Sequence, residues 1–260
     1  MKKNGILLLS ALLIASLIFT ESSSLYAQTS AGSSATTEAR YLYNMPTAGV
    51  LKRGTYAIEG WAHSEGGTIL LASVGLSNRF TFGISYGATN LIGSGNPKGN
   101  KYPGVMARYR LLDEEIAFPA ITLGFESQGR GNWIGNRYER KAPGLFAVAS
   151  KNFEMLGFIT FHGGVSYSAL EREDDASPNF FFGVEKTIGQ EISIYGQFDA
   201  GLNDDTTPSF GNGRGFLDLG VRWFAGSGIT IEVNFSNVLD NYKNIGAINR
   251  SIRLEYVGLF

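Results

Sequence analysis

Side chains that could bind a metal ion or act as nucleophiles are few in this chain of 260 residues. It has no cysteine, which excludes disulfides, thiolate catalysis and cysteine-ligated metals. Its two histidines, His63 and His162, have no further ligands at the spacing of a metal site. A lone histidine on a strand is more often a hydrogen-bonded structural residue than a ligand. We therefore expect no metal and no other cofactor.

Other local patterns also favour structural roles over chemistry. The glycine pairs at 93–95 and 129–131 resemble phosphate-binding loops, but no helix follows them, so they indicate turns. Asp204 and Asp205 could bind calcium, although solvated loop carboxylates are far commoner. The net charge of −1 provides no basic surface for a nucleic-acid partner.

The first 27 residues have the three-part pattern of a secretory signal. Lys2 and Lys3 precede an apolar run over 6–19, and small residues follow up to Ala27. The run is shorter than the ~20 residues of a membrane-spanning helix. We predict a signal peptide over 1–27, cleaved after Ala27 or after Ser24; an uncleaved inner-membrane anchor is the alternative. Residues 28–42 are polar and of low complexity, which predicts a flexible periplasmic leader before a domain over 43–260.

The domain consists of segments in which apolar and small or polar residues alternate. Over 79–88, for example, phenylalanine, isoleucine and tyrosine alternate with threonine, serine and glycine. Most segments have the ~9–11 residues of a tilted membrane strand rather than the ~5–6 of a globular one. Twelve strands are predicted, at 54–63, 68–76, 79–89, 102–112, 119–128, 143–153, 157–168, 178–187, 191–201, 214–224, 229–237 and 247–257.

The connections between these segments alternate between short and long, as in outer-membrane barrels. The last segment leads to a terminal aromatic, Phe260, with apolar residues at every second position before it. The fold class is therefore all-β, a transmembrane antiparallel up-and-down β-barrel of about twelve strands. We expect a Gram-negative outer membrane, reached through the periplasm, with membrane lipid and the barrel-assembly machinery as partners.

If the apolar face meets lipid, the polar face lines the lumen, because an arginine facing lipid costs ~2–4 kcal/mol at the midplane. Arg222 should pair with Glu232 across a tight turn, and Arg108 or Arg110 should approach Glu126. Two interpretations remain open: a polar path for a solute, or a core filled by salt bridges. The predicted lumen residues are Glu59, Arg108, Arg110, Glu126, Lys151, His162, Glu185, Asp199, Asp218, Arg222, Glu232, Arg253 and Glu255.

A third functional class is a hydrolase embedded in the barrel. The sequence lacks the catalytic residues that such an enzyme would need. An outer-membrane phospholipase with a similar strand number has the catalytic stretch His-x-Ser-Asn-Gly. The nearest stretch here, at 63–67, reads His-Ser-Glu-Gly-Gly, and His162 has no serine two residues later. We expect the protein not to be an enzyme.

Four short stretches stand out in the first half of the domain: Met45-Pro46-Thr47-Ala48-Gly49, Gly75-Leu76-Ser77-Asn78-Arg79-Phe80, Pro119-Ala120-Ile121-Thr122-Leu123-Gly124 and Ala147-Val148-Ala149-Ser150-Lys151. They resemble the YjbH family of outer-membrane proteins, which is linked to exopolysaccharide production. The resemblance covers roughly residues 43–153. It implies a barrel without catalytic residues that assists production or export of a surface polysaccharide, with polysaccharide or periplasmic export components as partners. Trp133 and Tyr138 are then the expected loop contacts to sugar, and a porin-like channel for small solutes is the alternative function.

Overall fold

The computed structural model describes residues 38–171, 175–189, 191–207, 209–243 and 246–260. The predicted signal peptide, 1–27, and the first ten residues of the predicted leader, 28–37, lie outside these ranges. Among the residues described, no helix has the length and apolar character that a membrane crossing requires.

Twelve long antiparallel strands form one closed barrel, which confirms the predicted fold class. Each strand pairs with its neighbour in sequence, and the first and last close the ring, with Tyr56 opposite Gly258. Two short strands form a separate hairpin in a loop, and a two-residue strand extends the sheet beside the third strand. In chain order the strands are β1 Thr55–His63, β2 Gly67–Ser77, β3 Phe80–Thr89, β4 Lys98–Gly99, β5 Gly104–Leu112, β6 Ala120–Glu126, β7 Arg130–Ile134, β8 Arg137–Arg140, β9 Gly144–Glu154, β10 Phe158–Tyr167, β11 Asn179–Ile188, β12 Ile192–Asp199, β13 Phe216–Gly226, β14 Ile229–Ser236 and β15 Asn249–Leu259.

The two faces of the barrel differ as the alternating sequence predicts. On β3, Phe82, Ile84 and Tyr86 are exposed on the outside, whereas Thr81 and Ser85 are buried inside. The same alternation recurs on the other long strands. Closure leaves the barrel without a free edge, so its backbone groups are paired within the sheet, as a structure in lipid requires. The exposed apolar outer surface suits contact with hydrocarbon.

The two ends of the barrel have different connections. One end, called here the turn end, has short turns at 78–79, 155–157 and 227–228. The chain terminus lies there too, since the amide of Phe260 donates to the carbonyl oxygen of Gly54 at 3.0 Å. The opposite end, the loop end, has longer connections such as 90–103 and 127–143.

The lumen contains a segment of chain that precedes the barrel. Residues 38–51, called here the N-terminal hairpin, are almost entirely buried. The hairpin closes on itself through Leu42 N to Met45 O at 3.1 Å and Thr47 N to Arg40 O at 3.0 Å. The predicted flexible leader is therefore wrong for residues 38–42, which lie inside the barrel because its polar wall offers partners for their backbone and charges.

A second insert enters the lumen from the loop end. Strands β7 and β8 form the mouth hairpin, residues 130–140, which folds inward so that Arg130, Tyr138 and Arg140 are buried. The two inserts meet inside the barrel. The guanidinium of Arg130 lies 5.2 Å from the ring of Tyr41, and that of Arg140 lies 6.0 Å from the ring of Tyr43.

Candidate functional site: a charged lumen filled from both ends

The predicted lumen residues face the interior, with one exception. Glu59, Arg108, Arg222 and Glu232 have almost no exposed surface. Asp199 and Glu255 also occupy inward positions, near the ends of their strands. The others that are buried there are Arg110, Glu126, His162, Glu185, Asp218 and Arg253.

Lys151 is the exception, and its predicted place in the lumen is wrong. It lies on the outward face of β9, between the inward residues Ser150 and Asn152. Its position close to the turn end lets the long side chain reach back to polar groups. The ammonium donates to the carbonyl oxygen of Glu115 and lies 3.4 Å from the carboxylate of Glu114. This is the snorkelling of a lysine at a membrane boundary.

Carboxylates outnumber arginines on the part of the wall formed by β1, β15, β14, β13 and β11, called here the acidic sector. Arg253 donates to Glu59 at 2.6 Å, to Glu232 at 2.9 Å and to Glu255 at 2.6 Å. Arg222, on β13, bonds Glu232 at 2.6 Å, which is the predicted cross-turn pair, and Glu185 at 2.5 Å. With the buried Asp218, also on β13, the sector thus has five carboxylates and two guanidiniums.

The opposite part of the wall, on β5 and β6, has the reverse balance and is called here the basic sector. Arg108 and Arg110 point inward from β5, which lies across the ring from β13 in the strand order. Glu126 on β6 lies 3.6 Å from Arg108, as one of the two predicted alternatives has it. The lumen therefore has an excess of negative charge on one side and of positive charge on the other.

The N-terminal hairpin places a charge of the opposite sign on each sector. Arg40 pairs with Glu59 and lies 3.3 Å from Glu255 in the acidic sector. Glu38 pairs with Arg110 in the basic sector. Because buried charges are costly unless they are paired, this complementarity fixes where the hairpin sits.

Wall side chains also bind the backbone of the hairpin. Arg108, Arg110 and Arg222 each donate to a hairpin carbonyl oxygen at 2.6 Å. The side-chain oxygen of Gln197 accepts three successive amides, those of residues 43–45, at 2.9–3.2 Å. Around these bonds Leu42, Tyr43, Met45 and Ala48 join an apolar cluster with wall residues that include Trp61, Phe146, Phe181 and Tyr195.

The mouth hairpin is held by its own ion pairs to the barrel. Arg140 lies 2.7 Å from Asp218 and 3.1 Å from Asp199. Arg137 binds Asp204 through both of its terminal nitrogens, at 2.7 and 2.9 Å. Asp204 is buried and paired with Arg137, so the expectation of a solvated loop carboxylate is wrong for this residue.

The cavities beside the N-terminal hairpin are small. Two cavities beside the N-terminal hairpin, one lined by Asn44 and Phe181 and one by Tyr43 and Asn237, measure about 20 Å³ each. Such a volume holds about one water molecule. Of the two interpretations left open by the sequence, the described state is the filled one.

A larger cleft opens at the loop end, beside the mouth hairpin. It measures about 360 Å³, and Tyr102, Trp133, Tyr138 and Glu171 are among its lining residues. The two predicted sugar contacts differ here. Trp133 is partly exposed and stands edge-on to Tyr138, with 4.7 Å between ring centroids. Tyr138 is buried, and its hydroxyl accepts a hydrogen bond from Asn100 at 3.2 Å.

Comparisons with known proteins give only distant structural likenesses. No family model matches the chain, and no curated protein matches it. Two solved structures, a KdgM porin and a NanC porin, share 10% and 11% identity with it. Each match covers 79% of this chain and 99% of the porin, with TM-scores of 0.47 and 0.46.

Sequence reasoning missed two features of the lumen. Ser150 and His162 face each other in register on β9 and β10, and the hydroxyl oxygen of Ser150 lies 2.7 Å from His162 Nδ1. That oxygen also accepts the amide of Ala48, so the pair anchors the hairpin and lies away from solvent. The hairpin itself was signalled by the apolar residues Tyr41 and Leu42, which are unusual in a flexible leader.

Proposed function

We propose that the protein is an outer-membrane channel for small polar solutes and that the described state is its closed state. The observation that carries this proposal is the polar wall behind the N-terminal hairpin. A barrel that is always filled has no need of buried ion pairs, because well-packed apolar side chains of similar volume are often equally or more stabilising. A wall lined from Arg110 near the turn end to Asp218 near the loop end suits a lumen that fills with water.

The charge distribution determines the kind of channel. With the acidic and basic sectors facing each other, neither sign dominates the path. A strongly selective ion channel would have one dominant sign. We therefore expect weak ion selectivity and passage of small polar or dipolar solutes.

The test is conductance in planar bilayers. The mature protein should conduct rarely, and a variant that lacks residues 38–51 should conduct steadily. Heat-dependent gel mobility verifies that both barrels are folded. In the shortened variant, replacing Arg108 and Arg110 by glutamine should shift the reversal potential toward cation preference, whereas the matched control Lys151→Gln, on the outer face, should not. A folded, shortened barrel that never conducts would refute the channel function.

A role in surface polysaccharide production is the second candidate, and the cleft at the loop end favours it. Aromatic rings beside polar groups suit sugar, and Tyr102 and Trp133 provide accessible rings there. The resemblance to the YjbH family supports the same role, with periplasmic export components as partners. The test compares surface polysaccharide of cells that express Trp133→Ala with that of cells that express Ile134→Ala, an exposed neighbour on the same strand. Equal amounts in both would count against this role.

A further inference from the structure

We propose that the N-terminal hairpin is a displaceable gate, which withdraws from the lumen as a unit through the turn end and so opens the channel. The inference rests on the channel function proposed above and adds how the channel is regulated. Four observations carry it: the entry side of the hairpin, the nature of its contacts, the pairing of the wall without it, and the unsatisfied groups of Arg40.

The hairpin is inserted from one side. Its two ends lie at the turn end, where Glu38 pairs with Arg110 and the amide of Leu51 donates to Thr81. Its tip lies deeper, since residues 43–45 bind Gln197, two residues before the loop-end terminus of β12. The hairpin joins the barrel through residues 52–54. It can therefore leave as it stands, without threading past a strand.

Most of its contacts are ones that water can replace. The hairpin carbonyl oxygens that bind Arg108, Arg110 and Arg222 would be hydrated outside the barrel, and the amides that bind Gln197 likewise. The exchange of protein for water hydrogen bonds has a small net cost for each bond. The apolar contacts of Leu42, Tyr43, Met45 and Ala48 provide the main attraction that has no counterpart in water.

The wall charges that face the hairpin stay paired when it leaves. Glu59 keeps Arg253, and Arg222 keeps both Glu185 and Glu232. Arg110 keeps Asp113 at 3.6 Å. Because stranded buried charges are what makes a broken ion pair expensive, withdrawal avoids the largest penalty that such a movement could incur.

Arg40 is less well satisfied inside the lumen than Arg222 and Arg253, the two arginines of the acidic sector. Its Nε and Nη1 are buried without a hydrogen-bond partner among the described residues. The ion pairs of its guanidinium are to Glu59 and Glu255, both of which also bind Arg253. Arg40 is thus the residue whose loss should weaken docking of the hairpin with the least damage to the wall.

The experiment uses the absence of native cysteine. Ala48→Cys and Ser150→Cys place two thiols where the amide of Ala48 now donates to the side chain of Ser150 at 2.9 Å. The pair is introduced into the mature protein and into its Arg40→Gln variant, and bilayer conductance is recorded in the oxidised and the reduced state. Disulfide formation is verified by mass spectrometry, and folding by heat-dependent gel mobility. Each single-cysteine variant is the control for effects of the substitutions themselves.

We expect Arg40→Gln to raise the open probability ~10-fold or more, because it removes a buried ion pair from docking alone. The control Lys151→Gln removes a charged contact with Glu114 on the outer face and should change nothing. Oxidation should abolish the openings of the Arg40→Gln variant, and reduction should restore them. Openings that persist in the disulfide-linked protein would overturn the gate.

A silent Arg40→Gln variant would also overturn the gate if the barrel that lacks 38–51 conducts, since the hairpin would then be a fixed plug. Silence of that shortened barrel as well would instead refute the channel function. If Arg40→Gln does not fold, Glu38→Gln takes its place, because it releases the other charged contact of the hairpin, that with Arg110.

Discussion

The wall network predicts a large stability loss for one substitution, Arg253→Met. Its guanidinium binds three carboxylates, those of Glu59, Glu232 and Glu255, at 2.6–2.9 Å. Removing one partner of a buried ion pair costs about 3–5 kcal/mol, because the charge of the other partner stays buried without compensation. Glu59 and Glu255 retain Arg40, and Glu232 retains other donors, so the lower part of that range applies. We expect the free energy of unfolding to fall by about 3 kcal/mol.

Urea unfolding of the barrel in lipid vesicles, followed by tryptophan fluorescence, measures this loss. The matched control is Arg79→Met, which removes an ion pair of 2.7 Å with Asp113 in which both side chains are about half exposed. Exposed pairs contribute about 0–1 kcal/mol, so this variant should unfold almost as the wild type does. Equal losses in the two variants would refute the claim that the lumen network is buried and tightly coupled.

Three further predictions concern the inserts. A side chain at Gly49 would overlap the carbonyl oxygen of Ala39, so Gly49→Val should undock the N-terminal hairpin and let trypsin cleave after Arg40 in the folded barrel. Burial raises the pKa of Glu171 from 4.5 to about 7, so Glu171 binds its proton more tightly in the folded loop than in the unfolded one. The folded loop that contains Glu171 should therefore lose about 3 kcal/mol of stability as pH rises from 4.5 to 7. Hydrogen exchange of this loop should show the loss of stability in the wild type, and Glu171→Gln should abolish it. Tyr138→Ala should destabilise the mouth hairpin by about 3 kcal/mol, as seen in thermal melts, whereas Trp133→Ala, which is partly exposed, should leave the melts almost unchanged.

The barrel could be predicted from the sequence because lipid imposes the same rule on every strand. A strand with hydrocarbon on one side and a polar lumen on the other must alternate, so both its bounds and its inward face can be read locally. The segment predicted at 229–237 is β14, Ile229–Ser236, and the inward positions of Arg222 and Glu232 follow from the same alternation. Lys151 was placed in the lumen because its side chain is charged, whereas the alternation along β9 puts it on the outer face.

The filling of the lumen could not be read in this way, because it depends on contacts between distant parts of the chain. The guanidinium of Arg222 binds the carbonyl oxygen of Tyr41, 181 residues earlier, and Gln197 binds amides more than 150 residues away. Neither contact has a local signal. Only after the ring closes do the two charged sectors create a place that fits Glu38 and Arg40.

The two inserts should behave differently when the channel opens. The mouth hairpin is tied to the wall, since Arg140 pairs with Asp218 and Asp199. Arg130 lies 3.6 Å from Glu126 and 4.5 Å from the ring of Trp61, both of which belong to the wall. None of these contacts needs the N-terminal hairpin, so its withdrawal leaves the mouth hairpin in place as a constriction near the loop end. The open path is then narrower than the barrel, which is why we propose small solutes.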